Sequence, residues 1–188
     1  VDRLRADVDA VMVGVGTVLA DDPSLTVADP DLVAERKSRG ESAQPARVVA
    51  DSQARTPADA LVLDDSAPTC VLVSTIVPDY QVANYESTGA TVIATGGERV
   101  DLAEALGELE RAGLERLLVE GGGEVLFSMF ADDLVDELSV YVGSFVIGGR
   151  DAPTLVDGDG FVDDFPRLTL ESVERLDDGV LLSYDVTS

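Results

Sequence analysis

Short apolar runs separated by polar punctuation set the pattern of this chain. Ala10–Val13, Val48–Ala50, Cys70–Val73, Thr91–Ala94, Leu117–Val119, Ser139–Val142, Leu168–Val173 and Val180–Tyr184 are dominated by Val and Leu and flanked by Gly, Pro or Asp. Such runs predict strands. Between the earlier ones lie helical patterns: Thr17–Leu19 with its flanks, Tyr80–Ser87, Leu102–Ala112 and Gly123–Phe130. Asp101 stands where an N-cap would satisfy the first free N–H groups of the helix carrying Leu102, Leu106 and Leu109. Strand–helix alternation predicts an α/β fold with a sheet that is parallel in its middle. After Gly143 the pattern changes to a Gly-rich loop and two close strands, with Asp177–Asp178–Gly179 as a hairpin turn. Residues 28–46 are polar and carry Pro30, Gly40 and Pro45, which suggests an exposed insertion within one domain spanning 1–188.

Composition narrows the classes. A chain of 188 residues with 45% apolar content can bury a sizeable core. Its 37 acidic residues stand against 13 basic ones, a net charge of −24, and Lys37 is the only lysine. A uniformly acidic chain that uses Arg in place of Lys suggests adaptation to high salt, which screens self-repulsion. Nucleic acid is a poor partner for it, because phosphate backbones demand basic patches. With no histidine and one cysteine, Cys70, the usual zinc sites, internal disulfides and histidine-based triads are excluded. Cys70 lies in an apolar run and reads as a small core residue. No signal peptide or membrane span is visible, which fits a cytoplasmic protein.

Three clusters carry candidate chemistry. Val119-Glu120-Gly121-Gly122-Gly123-Glu124 places one carboxylate and three glycines between a strand and a helix. Glycines there let backbone approach a ligand and leave N–H groups free at a helix N-terminus, an arrangement that binds phosphate. A tight turn without ligand would use the same residues. Gly14–Thr26 holds a second strand-to-helix turn with the Thr17 hydroxyl, followed by Asp21 and Asp22, which as isolated residues are ordinary turn acids. Asp51-Ser52-Gln53-Ala54-Arg55 puts a hydroxyl and an arginine past a strand end, suited to a phosphate monoester or to a plain polar turn.

Together these motifs resemble a known family. LRADVDAVMVGVGTVLADDPSLT (4–26), VVADSQAR (48–55) and LLVEGGGEVLFSMFADDLVDELSVYVGSFVIGGRDAPTLVDG (117–158) are similar to the pyrimidine reductases of riboflavin biosynthesis. The resemblance implies a dihydrofolate-reductase-like fold: a mostly parallel central sheet with helices on both faces and a C-terminal antiparallel hairpin. It implies NADPH as the hydride donor to C1′ of a ribosylamino-pyrimidine 5′-phosphate. Within that match Thr17, Asp21, Ser52, Gly121, Gly122, Gly123 and Glu124 fall on cofactor-contacting positions. Arg5, Leu25 and Glu120 fall on substrate-contacting positions. Glu120 is also the candidate proton-handling group for ribose ring opening; a carboxylate that accepts nearby backbone N–H groups would look the same in sequence.

Two departures accompany the match. Relatives often carry a basic residue after Leu-Thr-Val, where this chain has Ala28. The family also begins with a strand and an Asn-x-x-x-Ser/Thr-x-Asp-Gly-Lys loop, so a further N-terminal segment is expected ahead of Val1. The zinc deaminase fused to bacterial members needs His-x-Glu and Pro-Cys-x-x-Cys, which these residues lack. A stand-alone archaeal or fungal type acting before deamination is therefore implied, with 2,5-diamino-6-ribosylamino-4(3H)-pyrimidinone 5′-phosphate as substrate. The acidic composition favours a halophilic archaeon. Relatives pair as homodimers through the segment matching Leu134–Ile147. The alternatives are a reductase of the deaminated pyrimidine, a pterin reductase, and a non-catalytic nucleotide-binding module. The pterin reading wants aromatic stacking, and the chain has no Trp, five Phe and four Tyr.

Overall fold

The computed structural model describes residues 1–149, 152, 154–163 and 165–187. Arg150, Asp151 and Pro153 of the Gly148–Thr154 motif lie outside the described residues. The chain divides into two compact units, Val1–Val125 and Leu126–Ser188.

The first unit is built on a five-stranded parallel sheet. In chain order it holds α1 (Asp2–Ala6), β1 (Ala10–Gly14), α2 (Val15–Asp21), α3 (Pro30–Ser38), β2 (Ala46–Ala50), a 3-10 turn (Leu61–Leu63), β3 (Thr69–Ser74), α4 (Asp79–Ser87), β4 (Thr91–Thr95), α5 (Leu102–Arg111) and β5 (Leu117–Gly121). The strand order is β4-β3-β2-β1-β5. Steps from β1 through β4 all run one way, so right-handed crossovers set their connections on one face. The return from β4 to β5 reverses direction and puts α5 on the other. The core agrees: Val11, Val13, Val49, Val71 and Val73 pack with Val18, Val62 and Tyr85 in one cluster that contains no residue of α5. The continuous Val-rich runs are those of a sheet buried on both faces. All six positions of β3 are buried, Cys70 among them, and burial pushes its thiol up to about 11. The expected N-cap is present, with Asp101 accepting from Glu104 N–H at 2.9 Å.

Residues 28–46 differ from expectation. They are largely exposed but contain helix α3, capped by Asp29, whose side chain accepts from Asp31 N–H. No apolar stripe announced it, because its inward-facing residue is an arginine. Arg36 is 3% exposed and donates to the carbonyls of Ala6 (3.0 Å), Val8 (2.7 Å) and Ser42 (3.0 Å). Arg39 adds a bond to Ala6 O at 2.6 Å. Both arginines thus satisfy the Ala6 carbonyl at the end of α1, a group that helix geometry leaves unpaired. Desolvation lowers the Arg36 pKa.

The second unit carries β6 (Glu137–Val142), β7 (Arg167–Leu176) and β8 (Gly179–Thr187) as an antiparallel sheet, β6-β8-β7. β7 and β8 form the expected hairpin. Leu176 pairs with Gly179 across a two-residue loop, and Asp177 takes φ +53°. Between the two sheets in sequence lies α6 (Gly123–Ala131). Among the described residues no helix is long and apolar enough to cross a membrane.

Candidate active site

The strand order places a switch point between β1 and β5, whose connections depart to opposite sides. In open α/β sheets ligands bind beyond the carboxyl ends of such a pair. Two of the three sequence clusters meet there. β1 ends at Gly14 and β5 at Gly121, and both chains turn at once into helices. The turns are packed backbone to backbone. A Cβ at Gly122 (φ +93°) would lie 3.2 Å from Gly14 N and Cα, and one at Gly14 would meet Val125 Cγ2 at 2.8 Å. Side chains at either position would strain the fold before meeting any ligand. Gly121 faces Thr17, whose hydroxyl would be 3.4 Å from a Cβ there. The Thr17 hydroxyl and the N–H groups opening α6 therefore adjoin.

Glu120 is aimed by a defect in strand pairing. Met12 pairs with Val119, but Val13 pairs with Gly121, so Glu120 is an extra residue in β5. A bulge of this kind re-aims a side chain that strict alternation would send elsewhere. Glu120 meets Arg5 of α1 in a fork, Nε to Oε1 at 2.6 Å and Nη2 to Oε2 at 2.7 Å. Arg5 Nη1 also donates to Thr26 O at 2.8 Å. The bond to Glu120 raises the Arg5 pKa against the opposing effect of desolvation. Both side chains stay partly accessible, at 16% and 18%. Two N–H groups of the guanidinium, one on each Nη, remain to receive an anion.

Leu25 is 1% exposed with φ +54°, so its side chain belongs to the core and only its backbone could meet a ligand. A bulky residue in the left-handed region is an outlier of the sort that clusters at binding sites. Asp21 is exposed at the end of α2, while Asp22 Oδ1 accepts from Leu61 N–H at 2.9 Å and pins the turn.

The third cluster leaves β2. Ser52 Oγ accepts from Val100 N–H at 3.1 Å, and Ser52 O accepts from Ser74 Oγ at 2.7 Å. Arg55 is exposed beside it. No motif along the chain marks what holds this loop. Asp51 is fully buried, and its Oδ2 accepts from Thr56 N (2.7 Å), Thr56 Oγ1 (2.8 Å) and Tyr85 Oη (2.9 Å). Burial, then the Asp51 charge, pushes the Tyr85 pKa up, so its hydroxyl stays a donor. Asp51 Oδ1 is buried without a partner among the described residues.

Residues 1–182 match the family described as the RibD C-terminal domain. The chain belongs to the RibD C-terminal domain family. It is 46% identical over 179 residues to the 2,5-diamino-6-ribosylamino-4(3H)-pyrimidinone 5′-phosphate reductase of Archaeoglobus fulgidus, covering 95% of this chain and 80% of that protein. The protein of the same name from Methanothermobacter thermautotrophicus is 43% identical over 188 residues, covering 99% and 83%. Against the riboflavin biosynthesis protein RibD of Actinobacillus pleuropneumoniae, identity is 32% over 193 residues, and the chain spans 49% of that protein's length. Solved structures agree on the fold. A pyrimidine reductase-like protein from Corynebacterium diphtheriae superposes with TM-score 0.83 at 19% identity, covering 100% of this chain and 79% of that one. The riboflavin biosynthesis reductase Rib7 of Saccharomyces cerevisiae gives 0.68 at 20%, covering 99% and 78%. As a RibD C-terminal domain the chain has the expected dihydrofolate-reductase-like architecture, and the family implies a nicotinamide cofactor.

Proposed function

We propose that this protein reduces 2,5-diamino-6-ribosylamino-4(3H)-pyrimidinone 5′-phosphate to its ribitylamino product in riboflavin biosynthesis, with NADPH as reductant. The observation that carries the reading is the meeting, at one switch point, of the Arg5–Glu120 pair with the Gly121–Gly123 turn. These residues suit the two ligands. The glycine turn, where a Cβ would crowd Thr17 or Gly14, offers bare N–H groups for a cofactor pyrophosphate, joined by Thr17, Asp21 and Glu124. Ser52 lies further along the same sheet edge for the adenosine end. NADPH supplies the hydride. The chain's own part is to bind and orient: Arg5 presents its unused N–H groups to the substrate anion, the backbone at Leu25 faces the sugar, and Glu120 handles the proton that ring opening moves.

The undeaminated pyrimidine is favoured because the relatives named for it are the more similar ones, at 43–46% identity. We further propose a cytoplasmic, salt-adapted archaeal enzyme that works as a homodimer. The deciding assay follows NADPH oxidation with the diamino and the deaminated pyrimidine phosphates offered in turn. Turnover of the diamino compound alone, or at much higher kcat/KM, is expected. Preference for the deaminated one would move the enzyme to the other branch, and no oxidation with either would end the reading.

A further inference from the structure

Helix α1 carries Arg5, yet its own residues give it little hold on the fold. Five residues are too few for a helix to persist alone. Val1 at its N-cap supplies no side-chain bond, and Ala6 is its one buried residue. Leu4 is 44% exposed. Apolar packing therefore does not fix where α1 lies or how Arg5 is presented.

Polar bonds from α3 and its flanks do so instead. At the start of α1, Asp2 Oδ2 accepts from Ala28 N–H (2.9 Å) and Asp29 N–H (3.0 Å), just ahead of α3. At its end, Ala6 O accepts from Arg36 Nη1 and Arg39 Nη2. The same Arg36 nitrogen donates to Val8 O, in the link to β1, while Arg36 Nε donates to Ser42 O, past the end of α3. One guanidinium thus ties together the end of α1, the entry to β1 and the turn after α3, next in sequence to Arg5. Exposed ion pairs join the same helices. Arg3 meets Glu35 at 2.7 Å, and their side chains are 58% and 40% exposed. Arg39 meets Glu41 at 2.8 Å, with 32% and 26% exposed. Such pairs contribute little, least of all in concentrated salt. Arg36 is buried and its bonds run to carbonyls, where screening is far weaker. It is the contact that holds α1 at any ionic strength.

We infer that Arg36 is a positioning residue for the substrate. It fixes the end of α1, so that the Arg5 guanidinium, forked on Glu120 and bonded to Thr26 O, keeps its remaining N–H groups toward the substrate anion. This rests on the reading of Arg5 as a substrate ligand of a pyrimidine phosphate reductase. The test is a double-mutant cycle on the full chain, with Arg5→Gln, Arg36→Lys and both together, assayed with NADPH and the diamino pyrimidine phosphate. Arg36→Lys keeps the charge and the stem, but a compact ammonium does not span the carbonyls that a guanidinium fork reaches. Urea unfolding checks that each variant folds. Arg39→Gln, which removes a surface bond to the same Ala6 carbonyl, takes the place of Arg36→Lys in the cycle if the latter does not fold. Arg36→Lys should raise KM for the pyrimidine phosphate roughly 10-fold, in low and in molar KCl, with NADPH affinity held within about twofold. Added to Arg5→Gln it should change KM little, because it acts through Arg5. An unchanged KM, an equal loss for NADPH, or losses that multiply in the double variant overturn the inference and leave the reductase reading standing. Wild-type KM in Arg5→Gln removes Arg5 as a substrate ligand and this inference with it.

Discussion

Glu120 owes its position to a single extra residue in β5. The bulge opposite Met12 and Val13 carries it out of strand alternation and into the fork with Arg5. The residue type and the flanking glycines were legible in sequence, but the pairing was not, since 115 positions separate the two side chains. If Glu120 moves the proton, Glu120→Gln should keep NADPH affinity and lose on the order of 10²–10⁴ in kcat. Steady-state kinetics decide it: a rise confined to KM would leave Glu120 as an orienting group only. Arg47 and Asp51 gave no sequence signal of their role. Arg47, fully buried, donates to Thr69 Oγ1 (2.9 Å), Leu61 O (2.9 Å), Ala67 O (2.6 Å) and Asp64 Oδ1 (2.7 Å). A charge in a strand pattern becomes a core residue only where the tertiary fold supplies its acceptors.

At the level of elements, periodicity located β1 to β8 and the amphipathic α5 but passed over α3. That helix is held by guanidinium–carbonyl bonds instead of an apolar face, and hydrophobic periodicity cannot register such an attachment. A similar polar attachment fixes the segment between β2 and β3. Asp64 follows the 3-10 turn, and the Ser66 hydroxyl, then Arg47, hold its carboxyl down from 3.8 to about 2. A depressed carboxyl stabilises the fold above its unfolded pKa and loses that contribution as pH falls through the folded one, here from 3.8 to about 2. Asp64→Asn should therefore flatten the stability curve over that window. At neutral pH it should cost only about 1 kcal/mol, because screening at a partly exposed site weakens the pair. Urea midpoints measured across pH give the result; curves that stay parallel to wild type would assign the acid sensitivity elsewhere.

For the whole molecule, charge and surface make the strongest predictions. A net charge of −24 on 188 residues repels itself, so melting temperature should climb steeply with KCl. The second unit exposes Val142 (52%), Leu170 (51%) and Val173 (59%) on one face of its sheet. An apolar surface of that kind suits a twofold partner. Light scattering in molar KCl should return a dimer, giving way to monomer as salt is removed; a monomer at high salt would refute the pairing. The sequence alone determined the strand–helix order, the hairpin, the buried thiol, the acidic character and the glycine turns, because each depends on residues near one another in the chain. Tertiary structure decided which clusters meet. Reversal of strand order set β5 beside β1, so that residues 14–17 and 120–124 adjoin, and α1 was brought over them to pair Arg5 with Glu120. Long-range pairing of this kind follows from the handedness of crossovers and from the acceptors a buried charge can find, and neither is written in any single segment.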